Sequence, residues 1–145
     1  MTQTPEALVR RLIEEGFNQG NVDVADELIA EGLIEHQWYG PNHPPGPEGV
    51  KAVMRSLRRA FSDFRLEIED VTVADDTVWL RMTGSGTNDG PYMGNEPTGH
   101  TMSTPVFDSL RVKDGKIVEH WGVPDRLYAM IQLGLLQPQT PRVAA

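Results

Sequence analysis

Apolar residues at Leu8, Val9, Leu12, Ile13 and Phe17 recur at helical spacing and predict a helix over residues 4–19. Thr4 is its candidate N-cap, Pro5 suits the first helical position, and Gly20 is a stop. Val24, Ala25, Leu28 and Ile29 predict a second, shorter helix over 22–31. Residues 33–39 read as a short strand, and 40–47, with four prolines and two glycines, as a loop. A third helix starts at Pro47-Glu48, with Val50, Val53, Met54, Leu57 and Phe61 on its buried side. After Asp63 the period changes to two. Phe64, Leu66 and Ile68 alternate with Arg65, Glu67 and Glu69; past an Asp75-Asp76 turn, Val78, Leu80 and Met82 alternate with Thr77, Trp79 and Arg81. Residues 84–100 carry five glycines and two prolines and read as a long loop, or as a pair of ragged strand ends with a turn. A last hairpin joins 102–112 to 116–123 around Asp114-Gly115, and apolar residues from Leu127 to Leu135 predict a short final helix. The tail from Pro138 is expected to fray.

Helices followed by hairpin-linked strands imply a single α+β domain over residues 1–145, with a curved antiparallel sheet wrapped around helices. A sheet curled round a long helix leaves a conical cavity, the natural place for a ligand. The 145 residues suffice for a core without staples. No cysteine is present, which excludes disulfides, thiolate metal sites and cysteine nucleophiles. A net charge of −8 argues against nucleic acid as a partner. The arginines 55, 58 and 59 read as a solvated helix face. The N-terminus has no secretory pattern and no apolar run is long enough for a membrane span, so the expectation is a cytoplasmic protein without a membrane partner. His36 and His43, separated by a proline-rich loop, make no metal motif, so neither metal nor cofactor is expected.

Several segments together resemble a known family. These are Ile34-Glu35-His36, Gly46-Pro47-Glu48-Gly49, Phe61-Ser62-Asp63-Phe64 leading to Ile68-Glu69-Asp70, Tyr92-Met93-Gly94 with Pro97-Thr98-Gly99, and the run Asp114 to Trp121 followed by Asp125. Their order and spacing resemble the SnoaL-like polyketide cyclases, which share the cone-shaped nuclear-transport-factor-2-like fold with ketosteroid isomerase and limonene epoxide hydrolase. Asn88 after Thr87 departs from the family's usual His, and Ser62 from its usual Pro. The resemblance implies a cofactor-independent enzyme of antibiotic biosynthesis, closing a ring by intramolecular aldol chemistry on a small hydrophobic, polycyclic ketone. It also implies a homodimer or homotetramer.

In the resembling cyclases an Asp after the last strand is the general acid/base, which points to Asp125. The same residue fits an N-cap of the final helix, and the two roles can coexist. His36, in the segment that borders the cavity mouth in this fold, is a candidate to orient a carbonyl or enolate. Asp108 shares a strand face with Val106, Leu110 and Val112, where a carboxylate is costly unless paired or functional; it is placed near Asp125 or, alternatively, beside Arg111 or Arg81. Strand parity groups Ile117, Glu119, Trp121 and Val123, and sets Trp121 rather than His120 towards the cavity. Trp38, Tyr39, Trp79, Arg81, Asn88, Tyr92, Met93, His120 and Trp121 complete the candidate substrate-binding set. Arg81 keeps open an epoxide- or lactone-opening hydrolase with an Asp–Arg–Asp set. A non-catalytic small-molecule binder is the other alternative.

Overall fold

A computed structural model describes residues 3–139. The expected tail from Pro138 lies almost wholly outside them. Helix α1 (Pro5–Arg11) opens as its sequence demands: Thr4 Oγ1 accepts the Ala7 amide at 3.1 Å. The helix then widens into a π-helical segment, Leu12–Asn18. Gly16 lies there against Met54, whose Sδ would stand 3.2 Å from any Cβ at this position. Helix α2 (Val24–Leu28) is followed directly by strand β1 (Ile29–Glu35), so the second helix is shorter than its periodicity predicts and the strand begins earlier. The physical reason is tertiary pairing: Ile29 aligns with Ile117, and strand hydrogen bonding overrides local helical preference.

Helix α3 (Gly46–Ala60) lies against β1, and its N-terminal glycine, at φ 62°, sits against the Glu31 backbone. Four further elements follow: β2 (Arg65–Ala74), β3 (Thr77–Thr87), β4 (Thr101–Lys113) and β5 (Lys116–Pro124). They form one open five-stranded sheet in the order β1-β5-β4-β3-β2. All neighbours are antiparallel except β1 and β5, which run parallel, so the strands are not all segregated after the helices. Helix α4 (Arg126–Gln132) closes the described fold. Among the described residues no helix is long and apolar enough to cross a membrane.

Gly84 and Gly86 belong to β3, so this end of the stretch follows the strand-end alternative and not the long loop. A Cβ on Gly86 would meet Phe61 Cβ at 2.8 Å, so the glycine lets the end of α3 pack flat on the sheet. Phe61 itself is fully buried within a core of Leu8, Leu28, Met82, Ile117 and Leu133. Asn88, also fully buried, organises the remaining loop. Its side chain donates to the Ala60 and Gly90 carbonyls and accepts the Thr98 amide. It is thus a structural clip for the loop that carries Tyr92 and Met93.

The register decides which side chains face the helices. Along β4 and β3 the pairing is regular, with Leu80 opposite Asp108 and Trp79 opposite Ser109. Between β4 and β5 it slips: Val112 pairs with Ile117 while Arg111 pairs with Glu119. This bulge sets two steps of β5 against one of β4 and reverses side-chain parity at Val118. Ile117 therefore faces the core, whereas Glu119, Trp121 and Val123 face outwards and His120 and Gly122 turn inwards. The parity expected from sequence treated Ile117 and Trp121 as sharing a face, and the bulge corrects it.

The outer face is left uncovered. Trp79 lies in a row with Ser109 and Trp121, and Arg81 in the next row with Phe107 and Val123. Trp79, Phe107, Trp121 and Val123 are each more than half exposed. Trp79, Arg81 and Trp121 are thereby placed across the sheet from the core, not in a cavity inside it. His36 joins them: its ring stacks on Trp121 with centroids 3.6 Å apart, and its Nε2 lies 2.9 Å from Glu119 Oε2.

Candidate active site

Three titratable groups meet on the core side of the sheet. His120 on β5 lies between two carboxylates: Nδ1 is 2.8 Å from Glu35 Oε1 on β1, and Nε2 is 3.2 Å from Asp108 Oδ2 on β4. The topology makes this line. Parallel pairing sets Glu35 beside His120, and antiparallel pairing sets Asp108 opposite Gly122, one pleat away. Side chains of all three are at least four-fifths buried.

Burial alone would lower the His120 pKa. Hydrogen bonds and charge attraction from Asp108 and Glu35 outweigh it and push the pKa up to about 9, so the ring is an imidazolium at neutral pH. Both ring nitrogens then donate, and neither offers a lone pair to a metal.

Gly122 makes room for the cluster. A Cβ there would stand 2.9 Å from Asp108 Oδ1 and 2.8 Å from His120 Cε1, and would also collide with Gln37 Oε1. The glycine is thus a close-approach position that Gln37, His120 and Asp108 all crowd. Beyond β1 the chain runs extended, and Leu33, Glu35, Gln37 and Tyr39 line a cavity of about 320 Å³ together with His43 and Val50. The Tyr39 ring packs against His43, with centroids 4.6 Å apart. Burial first, then the negative charges of Glu35 and Asp108, raise the Tyr39 pKa well above its ordinary value, with Arg126 opposing. Tyr39 is therefore a phenol, able to donate a hydrogen bond, throughout the working pH range.

A larger concavity, about 580 Å³, lies at the far end of β3 and β4 among Asp63, Ser85, Thr87, Thr101, Ser103 and Gln132. It is a shallow surface depression whose polar groups are largely spent on one another. Thr87 donates to Asp63, and Gln132 pairs with the Ser103 backbone. The cavity lined by Glu35, the carboxylate that holds His120, has the chemistry.

The candidate residues divide accordingly. Tyr39 lines the cavity beside Glu35, whose carboxylate is joined through His120 to Asp108, and exposed Trp38 stands at the cavity edge. Asp125 does not join them: its Oδ1 accepts the Tyr128 amide at 3.0 Å as the N-cap of α4, and the residue is exposed. Asp108 is thus partnered by His120, and neither by Asp125 nor by Arg81 or Arg111. Arg111 instead pairs with Glu119 on the outer face. Arg81, opposite Asp70 and Phe107, leaves an Asp–Arg–Asp hydrolase set unassembled. Tyr92 is half-buried with its ring edge on Phe61, while Met93, at the loop tip, is 55% exposed. Glu35, Gln37 and Gly122 escaped the sequence reading. The alternation of Glu35, Gln37 and Tyr39 along one extended segment was the available signal, overshadowed by His36 between them.

The family model for SnoaL-like polyketide cyclases matches residues 7–133. Aklanonic acid methyl ester cyclase DauD from Streptomyces sp. (strain C5) is 32% identical over 88% of this chain and 80% of its own. The nogalonic acid methyl ester cyclase of Streptomyces nogalater is 27% identical over 81% of this chain and 89% of its own. Among solved structures, wild-type IdmH from Streptomyces antibioticus superposes with a TM-score of 0.79 at 32% identity, covering 91% of this chain and 99% of that one. TsrD from Streptomyces laurentii gives 0.81 at 27%, covering 90% and 95%. The matched residues 7–133 span the helices and the sheet, and the chain belongs to the SnoaL-like polyketide cyclase family.

Proposed function

We propose that this cyclase closes a ring by cofactor-independent intramolecular aldol addition, with Asp108 as the proton-transfer group. The observation that carries the reading is the buried Glu35–His120–Asp108 line, whose Glu35 also lines a cavity that holds the Tyr39 phenol. An acidic C–H between carbonyls gives its proton to Asp108 Oδ1, the oxygen not engaged by His120. The resulting enolate carbon attacks a ketone carbon of the same molecule, and a C–C bond forms as the C=O π bond becomes an alkoxide. Tyr39 donates a hydrogen bond to that developing oxyanion, and the proton held by Asp108 passes to it. Nothing is gained or lost overall, and charge stays balanced because the imidazolium of His120 persists between its two carboxylates. The relatives named as cyclases of acid methyl esters support a polyketide of that kind as substrate. Mass spectrometry of wild-type reactions with aklanonic acid methyl ester or its free acid tests the reading. The expected product is isomeric with the substrate; a product heavier by one water would replace ring closure with hydrolysis.

The same reading takes the uncovered outer face as the contact with a second copy of the chain. Its support is the patch of Trp79, Phe107, Trp121 and Val123, which a two-fold axis would set against itself. Sedimentation equilibrium is expected to give a dimer for the wild type and a monomer for Trp121→Glu. A wild-type monomer at every concentration would end this assignment.

A further inference from the structure

The cavity and the buried line share the neighbourhood of one side chain. Gln37 lines the cavity beside Glu35 and Tyr39. Its Oε1 is also the atom nearest to where a Cβ on Gly122 would stand, and His120 Cε1 and Asp108 Oδ1 lie 2.8 and 2.9 Å from that same point. The backbone holds Gln37 in place. Its N–H donates to Glu35 Oε1 at 2.9 Å, and His120 Nδ1 lies 2.8 Å from the same oxygen. Gln37 is half-buried, yet its carboxamide has no hydrogen-bond partner among the described residues. Oε1 is the end that meets Gly122, so the two Nε2 donors are the unused end. Half-buried donors without a partner cost free energy that a ligand acceptor would recover.

The surroundings say which acceptor fits. Glu35 and Asp108 set two carboxylates against the single imidazolium of His120, so the groups around Gln37 are net negative. An anionic ligand group would be repelled there, whereas a neutral carbonyl oxygen would not. Removing a proton beside a carbonyl moves negative charge onto its oxygen. A hydrogen bond from Gln37 to that oxygen therefore strengthens as the enolate forms. The neutrality of the amide matters as well. A lysine at this position would pair with the carboxylates and make Asp108 a weaker base, while a carboxamide donates without drawing on its charge.

We propose that Gln37 is a specificity residue that recognises the substrate carbonyl next to the C–H taken by Asp108, leaving the Tyr39 hydroxyl for the second oxygen. This role rests on the cyclase reading for the reaction, but its test does not use turnover. The probes are 2-tetralone, a ketone with an acidic C–H beside its carbonyl, and tetralin, which has the same two rings without the oxygen. Neither can close a ring. Calorimetric titration gives the ratio of the two affinities, in which the contribution of the shared rings cancels. That ratio is expected to be about tenfold higher in the wild type than in Gln37→Met, the upper part of the range for a neutral hydrogen bond. Gln37→Met keeps the length of the side chain and removes both donors; Gln37→Leu should give the same low ratio with a different shape. Far-UV circular dichroism confirms that the variants are folded. Failure of the ketone to bind, a ratio in Gln37→Met and Gln37→Leu equal to that of the wild type, or a ratio that collapses in Tyr39→Phe and not in Gln37→Met each overturns the proposal. A water-adding reaction would overturn the cyclase reading and leave this ratio where it is.

Discussion

Asp108→Asn is expected to lower kcat by roughly two to four orders of magnitude, the usual contribution of a positioned proton-transfer group. An amide occupies the same volume and still offers His120 Nε2 an acceptor, so the fold and the imidazole orientation should survive. What it loses is the ability to take a proton from carbon. Asp125→Asn is the control that makes the result specific. Asn caps a helix about as well as Asp, so the α4 N-cap to Tyr128 should persist and kcat should stay within about twofold. Asp125→Ala should cost about 1 kcal/mol of stability through loss of the cap, again without a large effect on kcat. The opposite pattern, an active Asp108→Asn with an inactive Asp125→Asn, would return the proton transfer to the residue that the family resemblance favours. Steady-state kinetics and thermal melts of the three variants decide between the assignments.

The elements that could be read from sequence are those whose periodicity is reinforced by packing. The first helix, α3 and the two hairpins have unbroken periods of 3.6 or 2, and the structure has them at nearly the expected positions. Strand β1 was harder, because Ile29-Ala30-Glu31-Gly32-Leu33 lacks clean alternation and owes its conformation to a parallel neighbour far along the chain. Gly84 and Gly86 fitted a loop or a ragged strand end equally; only the bulk of Phe61 opposite Gly86 explains why a strand needs glycine there. The site failed to read for a related reason. Asp108 could be singled out locally, as a carboxylate on an apolar face. Its partner could not, since the bulge at Val118 has no signature in a single sequence and exchanges the faces of His120 and Trp121. Glu35 becomes significant only once β1 is known to lie beside β5 and not merely before α3.

His120 should make the protein's stability fall steeply between about pH 6.5 and 9. The folded-state pKa is raised from 6.5 to about 9, so the native state binds the proton more tightly than the unfolded chain does. Stabilisation from this group is therefore complete below pH 6.5, where both states are protonated. It is lost as pH rises through 9, because the native state gives up its proton last and gains nothing further above that point. A shift of this size corresponds to on the order of 3 kcal/mol, shared among His120, Asp108 and Glu35 rather than belonging to the imidazole alone. Urea denaturation midpoints at pH 6.5 and 9.5 measure it, and the His120→Gln variant supplies the background from the other histidines and the N-terminus. The wild type is expected to lose most of its advantage over His120→Gln across that interval, and kcat/KM should decline on the same limb as the neutral ring ceases to balance Asp108. A difference between wild type and variant that stays constant from pH 6.5 to 9.5 would show that the ring is not cationic in the fold. The proton path drawn through Asp108 would then have to start from a neutral His120, which could donate to only one of its two carboxylates and would leave the other buried without its charge partner.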